Sequence, residues 1–257
     1  MVDWGRFDFM HHMLSGENIG LITPKIKKEQ VGGFVTNNIC GHKTYDAFDS
    51  NSLFPLYLYS DDKLGLDQTR RVNFDRKLYK KIQKLAKHPD HGTPNEVQVF
   101  DYIYGVLHCP VYRDTYAEFL KIDFPRIPWP ASPDEFWDVS AKGTELRKLH
   151  LMDPGVIGPT PYPFKGDGDN MVDKPRFEDG RVWINATQYF DSAPEVSWGV
   201  FIGGYQPAQK WLKDRKGRAL SFDDVKHYQR ILKILAETDR IMETIHMTLS
   251  APDETVI

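Results

Sequence analysis

Short runs of strand-forming residues lie toward both ends of the chain, and helical spacing dominates its middle. Ile19-Gly20-Leu21-Ile22-Thr23 predicts a strand stopped by Pro24, which lacks a backbone donor. Gly33-Phe34-Val35-Thr36 predicts a second. Leu53-Phe54-Pro55-Leu56-Tyr57-Leu58-Tyr59 is dense in strand formers, with Pro55 requiring an edge or a bulge. Phe9 to Leu14 predicts a short helix ended near Gly16.

In the middle, Leu78, Ile82 and Leu85 recur at helical spacing. Thr93-Pro94-Asn95-Glu96 reads as a capping box with proline at the first helical position. After it, Val97, Phe100, Ile103, Tyr104 and Leu107 form one apolar stripe. A further helix is expected after Pro110, with Tyr112, Tyr116, Phe119 and Leu120 on one face. The prolines of Phe124-Pro125-Arg126-Ile127-Pro128-Trp129-Pro130 forbid a helix there. Ser132-Pro133-Asp134-Glu135 is a second capping box, whose helix should run to about His150.

Gly155 to Gly168 is dense in glycine and proline and predicts a loop. Arg176-Phe177-Glu178 and Arg181-Val182-Trp183-Ile184 flank Asp179-Gly180, a strong hairpin signal. Trp198 to Ile202 predicts another strand. Ser221 is expected to cap a long last helix with core face Phe222, Val225, Tyr228, Leu232, Leu235, Met242 and Ile245. The fold class is therefore mixed α+β. Small β elements in the N-terminal and C-terminal thirds surround a helical middle, and a long helix follows near the C-terminus. The chain is read as one unit over 1–257, with sub-parts at 1–68 (α/β), 69–152 (helical) and 153–257 (hairpin plus C-terminal helices).

Composition narrows the function classes. The chain has 257 residues, 40% hydrophobic and 27% charged, as in ordinary globular proteins. No run of eighteen apolar residues occurs, so no membrane span is expected, and the N-terminus lacks the features of a signal peptide. Cys40 and Cys109 make neither a disulfide framework nor a four-ligand zinc site, and a reducing cytoplasm is the expected setting. The net charge of −3 argues against a simple nucleic-acid binder, but local charge differs. Thr69 to Lys87 carries eight basic residues (Arg70, Arg71, Arg76, Lys77, Lys80, Lys81, Lys84, Lys87) against Asp75 alone. Gln206 to Arg218 carries five (Lys210, Lys213, Arg215, Lys216, Arg218) against Asp214 alone. The bland reading of both is a solvated surface.

An ordered set of stretches adds to this. It begins with Glu17-Asn18-Ile19-Gly20-Leu21-Ile22, Phe34-Val35-Thr36-Asn37 and Leu53-Phe54-Pro55-Leu56-Tyr57-Leu58-Tyr59. Asp101-Tyr102-Ile103-Tyr104-Gly105-Val106-Leu107-His108 follows, running into Cys109-Pro110-Val111-Tyr112-Arg113. Next come Tyr116-Ala117-Glu118-Phe119-Leu120-Lys121 and Asp123-Phe124-Pro125-Arg126-Ile127-Pro128. Gly203-Gly204-Tyr205-Gln206 and Lys210 to Arg218 complete the set. Together these resemble the C-terminal specificity domain of Type ISP restriction-modification enzymes, over nearly the whole chain. The resemblance implies recognition of double-stranded DNA. It also implies, as partners, the adenine methyltransferase, helicase and nuclease modules of a parent enzyme.

No catalytic residue, cofactor or metal is expected. Phe164-Lys165-Gly166-Asp167-Gly168 spells a cofactor-binding turn, but Pro159, Pro161 and Pro163 occupy the place of its strand and no helix is expected after it. Pro159-Thr160-Pro161-Tyr162 matches a methyltransferase loop only in letters, because proline cannot hold a flipped base as Asn or Asp does. Asp167-x-Asp169-Asn170 fails as a calcium loop at Met171. Cys40-Gly41-His42 and His108-Cys109 lack a second spaced pair, and no Walker sequence occurs.

Under the resemblance, Arg70, Arg71, Lys210, Lys213, Arg215, Lys216 and Arg218 are the candidates for gripping phosphates. Asn37, Asn38, His42, Lys43, Gln188 and Tyr189 are the candidates for reading base edges. The rival for the Lys213 to Arg218 loop is a packing turn. The rivals for the whole chain are a non-catalytic protein-interaction or scaffold module, and an inactive remnant of a larger restriction-modification gene.

Overall fold

The computed structural model describes residues 10–25, 33–41, 44, 51–60, 69–202 and 205–249. They fall into two compact units, one of Met1–Arg147 with Met242–Ile257 and one of Lys148–Ile241. Small sheets and helices alternate in a mixed α+β arrangement.

In the first unit, β1 (Gly20–Pro24) is the centre of an antiparallel sheet, between β2 (Phe34–Thr36) and β3 (Asn51–Pro55). Pro55 therefore sits on an edge strand, opposite Gly20, where a missing donor costs no ladder bond. The expected single strand from Leu53 to Tyr59 is in fact two strands in two sheets. The chain turns at Leu56, whose N–H donates to the Ile19 carbonyl (2.8 Å) and whose carbonyl accepts from Asn73 N–H (2.8 Å). Beyond the turn, β4 (Tyr57–Tyr59) pairs with β5 (Arg70–Val72), Tyr59 opposite Arg70 and Leu58 opposite Arg71. The expected helix at Phe9 to Leu14 is a single 3-10 turn at His11–Met13, with Phe9 outside the described residues.

Helix α1 (Arg76–Leu85) starts where Asp75 accepts from the backbone N–H groups of Lys77 and Leu78. Helix α2 (Glu96–His108) starts two residues later than Thr93 implied. Asn95 is extended and takes the Gln98 N–H, and Gln98 reaches back to the Asn95 N–H, so this pair is the capping box. The single stripe expected for α2 also falls short. Tyr102, Tyr104 and Val106 are all fully enclosed, so α2 is buried nearly all round. Its Asp101 is taken up by Arg147 and Thr144.

The helix expected after Pro110 is broken at Tyr116 into α3 (Pro110–Thr115) and α4 (Ala117–Leu120). The proline-rich 124–130 segment has no regular structure. Helix α5 (Pro133–His150) begins as expected, with Ser132 Oγ accepting from Glu135 N–H (3.1 Å) and the Glu135 carboxylate accepting from Ala131 N–H (2.8 Å). It crosses α2 closely, because a Cβ on Gly143 would run into the Asp101 carbonyl oxygen.

The second unit is built on a four-stranded antiparallel sheet in the order β6 (Phe164–Lys165), β9 (Tyr189–Phe190), β8 (Arg181–Trp183), β7 (Arg176–Glu178). The β7–β8 turn has positive φ at Asp179 and Gly180, as a two-residue hairpin of this hand requires. Val182 and Phe190 face a core shared with Tyr228, Leu232 and Leu235. Short helices α6 (Pro154–Ile157), α7 (Glu195–Gly199) and α8 (Pro207–Lys213) and the long α9 (Phe222–Glu243) complete it.

Two expectations fail in this unit. The strand predicted at Trp198 to Ile202 does not form: Trp198 and Gly199 end α7, and Ile202 makes only an isolated bridge with Tyr205. Extended Pro194 sets that helix's start, and Ser197 Oγ bonds the Leu232 carbonyl (2.8 Å). Phe222, expected in the core, is 71% exposed, since α9 begins there and the sheet is met first by Val225 and Tyr228. Among the described residues no helix is long and apolar enough to cross a membrane.

Candidate nucleic-acid interface

The base-reading candidates divide between the units. Asn37 and Asn38 are exposed just after β2. Thr36 Oγ1 accepts the Asn38 N–H (3.0 Å) and donates to its carbonyl (3.1 Å), and Asn38 Nδ2 donates to Asn37 Oδ1 (2.6 Å). The turn is thus held by its own side chains, and both Asn groups face outward. His42 and Lys43 lie outside the described residues.

Gln188 does not reach outward. It is 2% exposed. Its Oε1 accepts from Asn170 N–H (2.8 Å) and Asn185 Nδ2 (3.1 Å), and its Nε2 donates to Asn170 Oδ1 (2.7 Å). It clamps the loop before β9 to the loop at Asn170, so it is a structural amide and not a free base reader. Gly166 and Gly168, from the rejected cofactor-turn spelling, serve the same contact. A Cβ at Gly166 would run into the Thr187 carbonyl oxygen, and one at Gly168 would crowd Gln188 Oε1. A strand does precede these glycines, but it is two residues long and antiparallel to β9, and β7 rather than a helix follows.

Tyr189 sits on the sheet's outer face. The strand register places Arg176, Trp183, Tyr189 and Lys165 in one row across all four strands. The Trp183 and Tyr189 ring centroids lie 4.5 Å apart. The Arg176 guanidinium covers Trp183 at 4.8 Å and that of Arg181 covers Tyr189 at 4.9 Å.

The phosphate candidates differ in how far they are already occupied. Arg218 and Arg215 converge on Asp224, at 2.8 and 3.7 Å. The Arg215 guanidinium also stacks 3.5 Å from the Trp211 ring centroid and donates to the Trp211 carbonyl. Asp224 closes the α9 cap, accepting Ser221 N–H (3.0 Å) while Ser221 Oγ accepts the Asp224 N–H (3.1 Å). Burial acts to raise the Asp224 pKa, but the bonds from Ser221 and Arg218 outweigh it and hold the carboxyl below its usual range. Lys210 pairs with Asp214 (2.7 Å) and Lys213 bonds Gln209 (3.2 Å). Lys216 is exposed and has no ion-pair partner among the described residues.

In the first unit, the Arg70 guanidinium lies 3.9 Å from the Tyr57 ring centroid. The Tyr57 hydroxyl donates to Glu96 (2.9 Å), and burial together with that carboxylate pushes its pKa up to about 12. Arg71 is exposed. The strand bearing both leads into α1, where Arg76, Lys77, Lys80, Lys81 and Lys84 are all exposed, with Lys87 just beyond. Those α1 side chains were not singled out from sequence, although the charge count over Thr69 to Lys87 contained them. Their helical spacing, set against apolar Leu78 and Ile82, was the available signal.

The family comparison and the comparison with solved structures agree. The family described as the Type ISP C-terminal specificity domain matches residues 1–244. No curated protein is significantly similar in sequence. Among solved structures, the DrdV–DNA complex matches at 21% identity and TM-score 0.71, covering 91% of this chain and 25% of that one. The ATP-dependent Type ISP restriction-modification enzyme LlaBIII bound to DNA matches at 16% identity and TM-score 0.68, covering 91% and 16%. A nuclease-deletion mutant of the Type ISP enzyme LlaGI, in complex with a DNA substrate mimic, matches at 16% identity and TM-score 0.64, covering 92% and 22%. These likenesses establish a shared fold, and the chain spans a quarter or less of each of those proteins.

Proposed function

Because this chain belongs to the Type ISP C-terminal specificity domain family, we propose that it recognises a target sequence in double-stranded DNA. It acts in the cytoplasm as the non-catalytic specificity part of a restriction-modification enzyme and positions separate methyltransferase, helicase and nuclease modules. The family match over residues 1–244 carries the reading. The structures it resembles, over nine-tenths of its length, are complexes with DNA or a DNA substrate mimic.

In this reading Asn37 and Asn38 offer paired amides, the group that bonds adenine bidentately in the major groove. Tyr189 offers a partly exposed ring, flanked by Trp183 and Arg181, on the sheet's outer face. Arg71 and Lys216, with no ion-pair partner among the described residues, are available to phosphates without first breaking one. Fluorescence anisotropy with a labelled duplex at two salt concentrations tests the reading. Binding that weakens steeply with salt is expected. Failure to bind duplex DNA even at low salt would favour a protein-interaction module.

A further inference from the structure

Helix α1 is a poor helix electrostatically. Its sequence, Arg76-Lys77-Leu78-Tyr79-Lys80-Lys81-Ile82-Gln83-Lys84-Leu85, contains no acid. Arg76 and Lys80, Lys77 and Lys81, and Lys80 and Lys84 stand four apart, and each such like-charge pair destabilises a helix. Arg76 and Lys77 also occupy the first turn, where the helix dipole disfavours cations. Packing overrides this. Ile82 and Ala86 are fully buried, and Trp137 Nε1 donates to the Ala86 carbonyl (2.9 Å) at the helix end.

Arg76, Lys77, Lys80, Lys84 and Lys87 have no ion-pair partner among the described residues; Lys77 feels the Asp75 carboxylate at the helix start, and Lys81 lies 4.2 Å from the Trp129 ring centroid. In the second unit several cations are paired. There Lys165 and Arg181 share Asp191, Arg176 pairs with Glu178, and Lys233 and Arg240 share Glu237. At a rise of about 1.5 Å per residue, Lys77 to Lys84 spans roughly 10 Å, the axial length of about three phosphates on one strand.

We propose that the outer face of α1, extended by Arg71, is the anchor of this domain on the sugar–phosphate backbone of duplex DNA, carrying more of the electrostatic binding than the Lys210 to Arg218 loop does. The inference rests on the DNA-recognition reading above and assigns its charge to one surface. A backbone anchor has no sequence preference, so a duplex of arbitrary sequence is a sufficient probe.

The test compares the full chain with a variant carrying Lys77→Gln, Lys80→Gln, Lys84→Gln and Lys87→Gln, and with the matching four Lys→Arg changes. Affinity for an arbitrary 24-base-pair duplex is measured against salt, with circular dichroism confirming the fold of each. The Gln variant should lose affinity at low salt. Its slope of log affinity against log salt should flatten by about 0.9 for each phosphate no longer neutralised, while the Arg variant keeps the parent slope. A folded Gln variant with the parent slope overturns the anchor and leaves DNA recognition standing. A parent chain that does not bind the duplex at low salt defeats the DNA-recognition reading itself, and the anchor with it.

Discussion

Arg218 reaches the Asp224 carboxylate through one guanidinium nitrogen, at 2.8 and 3.1 Å. The same carboxylate closes the cap of α9, so the basic loop is tied to the start of the longest helix. Arg215 adds a stack on Trp211. A loop that reads as a phosphate grip from its charge is thus partly a brace.

The loop's two roles separate by substitution. Arg215→Ala should destabilise the protein by about 1–2 kcal/mol in urea unfolding, since it removes a stacked, half-buried side chain. Lys216→Ala should change stability by less than about 0.5 kcal/mol. A strongly destabilising Lys216→Ala would mean that Lys216 packs in a way this geometry does not contain.

Gly143→Ala should cost about 1–3 kcal/mol or more. The added methyl would collide with the Asp101 carbonyl, and neither helix backbone can yield without moving its neighbours. A shift of the urea midpoint with unchanged slope is the expected signature. An unchanged midpoint would show that α2 and α5 do not cross this closely.

Asp101 is 1% exposed and is held by both Arg147 and Thr144. Asp101→Ala should therefore destabilise by about 3–5 kcal/mol, because it leaves the Arg147 guanidinium facing a buried site without its counter-charge. Thermal unfolding of the variant measures this directly, and a cost under about 1 kcal/mol would contradict the pairing.

Burial pushes the His150 pKa down from 6.5 to about 4. Its Nε2 lies 2.8 Å from Thr238 Oγ1, which itself donates to the Ile234 carbonyl, so the neutral ring supplies the proton. The folded state thus binds fewer protons than the unfolded state between those values. Stability from this group is complete above about pH 6.5 and is lost as pH falls toward 4, by about 1–3 kcal/mol. His150→Gln should flatten the stability profile in that window, as followed by urea unfolding at several pH values.

What the sequence made legible follows from local physics. The Asp179-Gly180 hairpin, the Ser132 start of α5 and the edge position of Pro55 each depend on one or two residues' backbone preferences, and each holds. What it hid depends on partners far along the chain. Gln188 looked like a loop amide until Asn170 and Asn185 closed round it. Trp198 to Ile202 had strand formers, but its first two residues end a helix that Ser197 ties to Leu232, and only Ile202 pairs, in a single bridge with Tyr205. Helix α2 carried a visible stripe, yet Asp101 is buried with the rest because Arg147, forty-six residues on, supplies its charge partner. The α1 cations were visible as charge, but that they form no ion pair among the described residues emerged only from the three-dimensional contacts.

Target recognition itself is tested most directly by selection. The purified chain is offered a pool of duplexes with a randomised central segment, and the bound fraction is sequenced. A specificity domain should enrich a defined sequence over its own non-specific binding, and substitution of Asn37 should relax the preference at one position at a cost of roughly 1–3 kcal/mol. A bound pool with the same base composition at every position as the input would contradict the account.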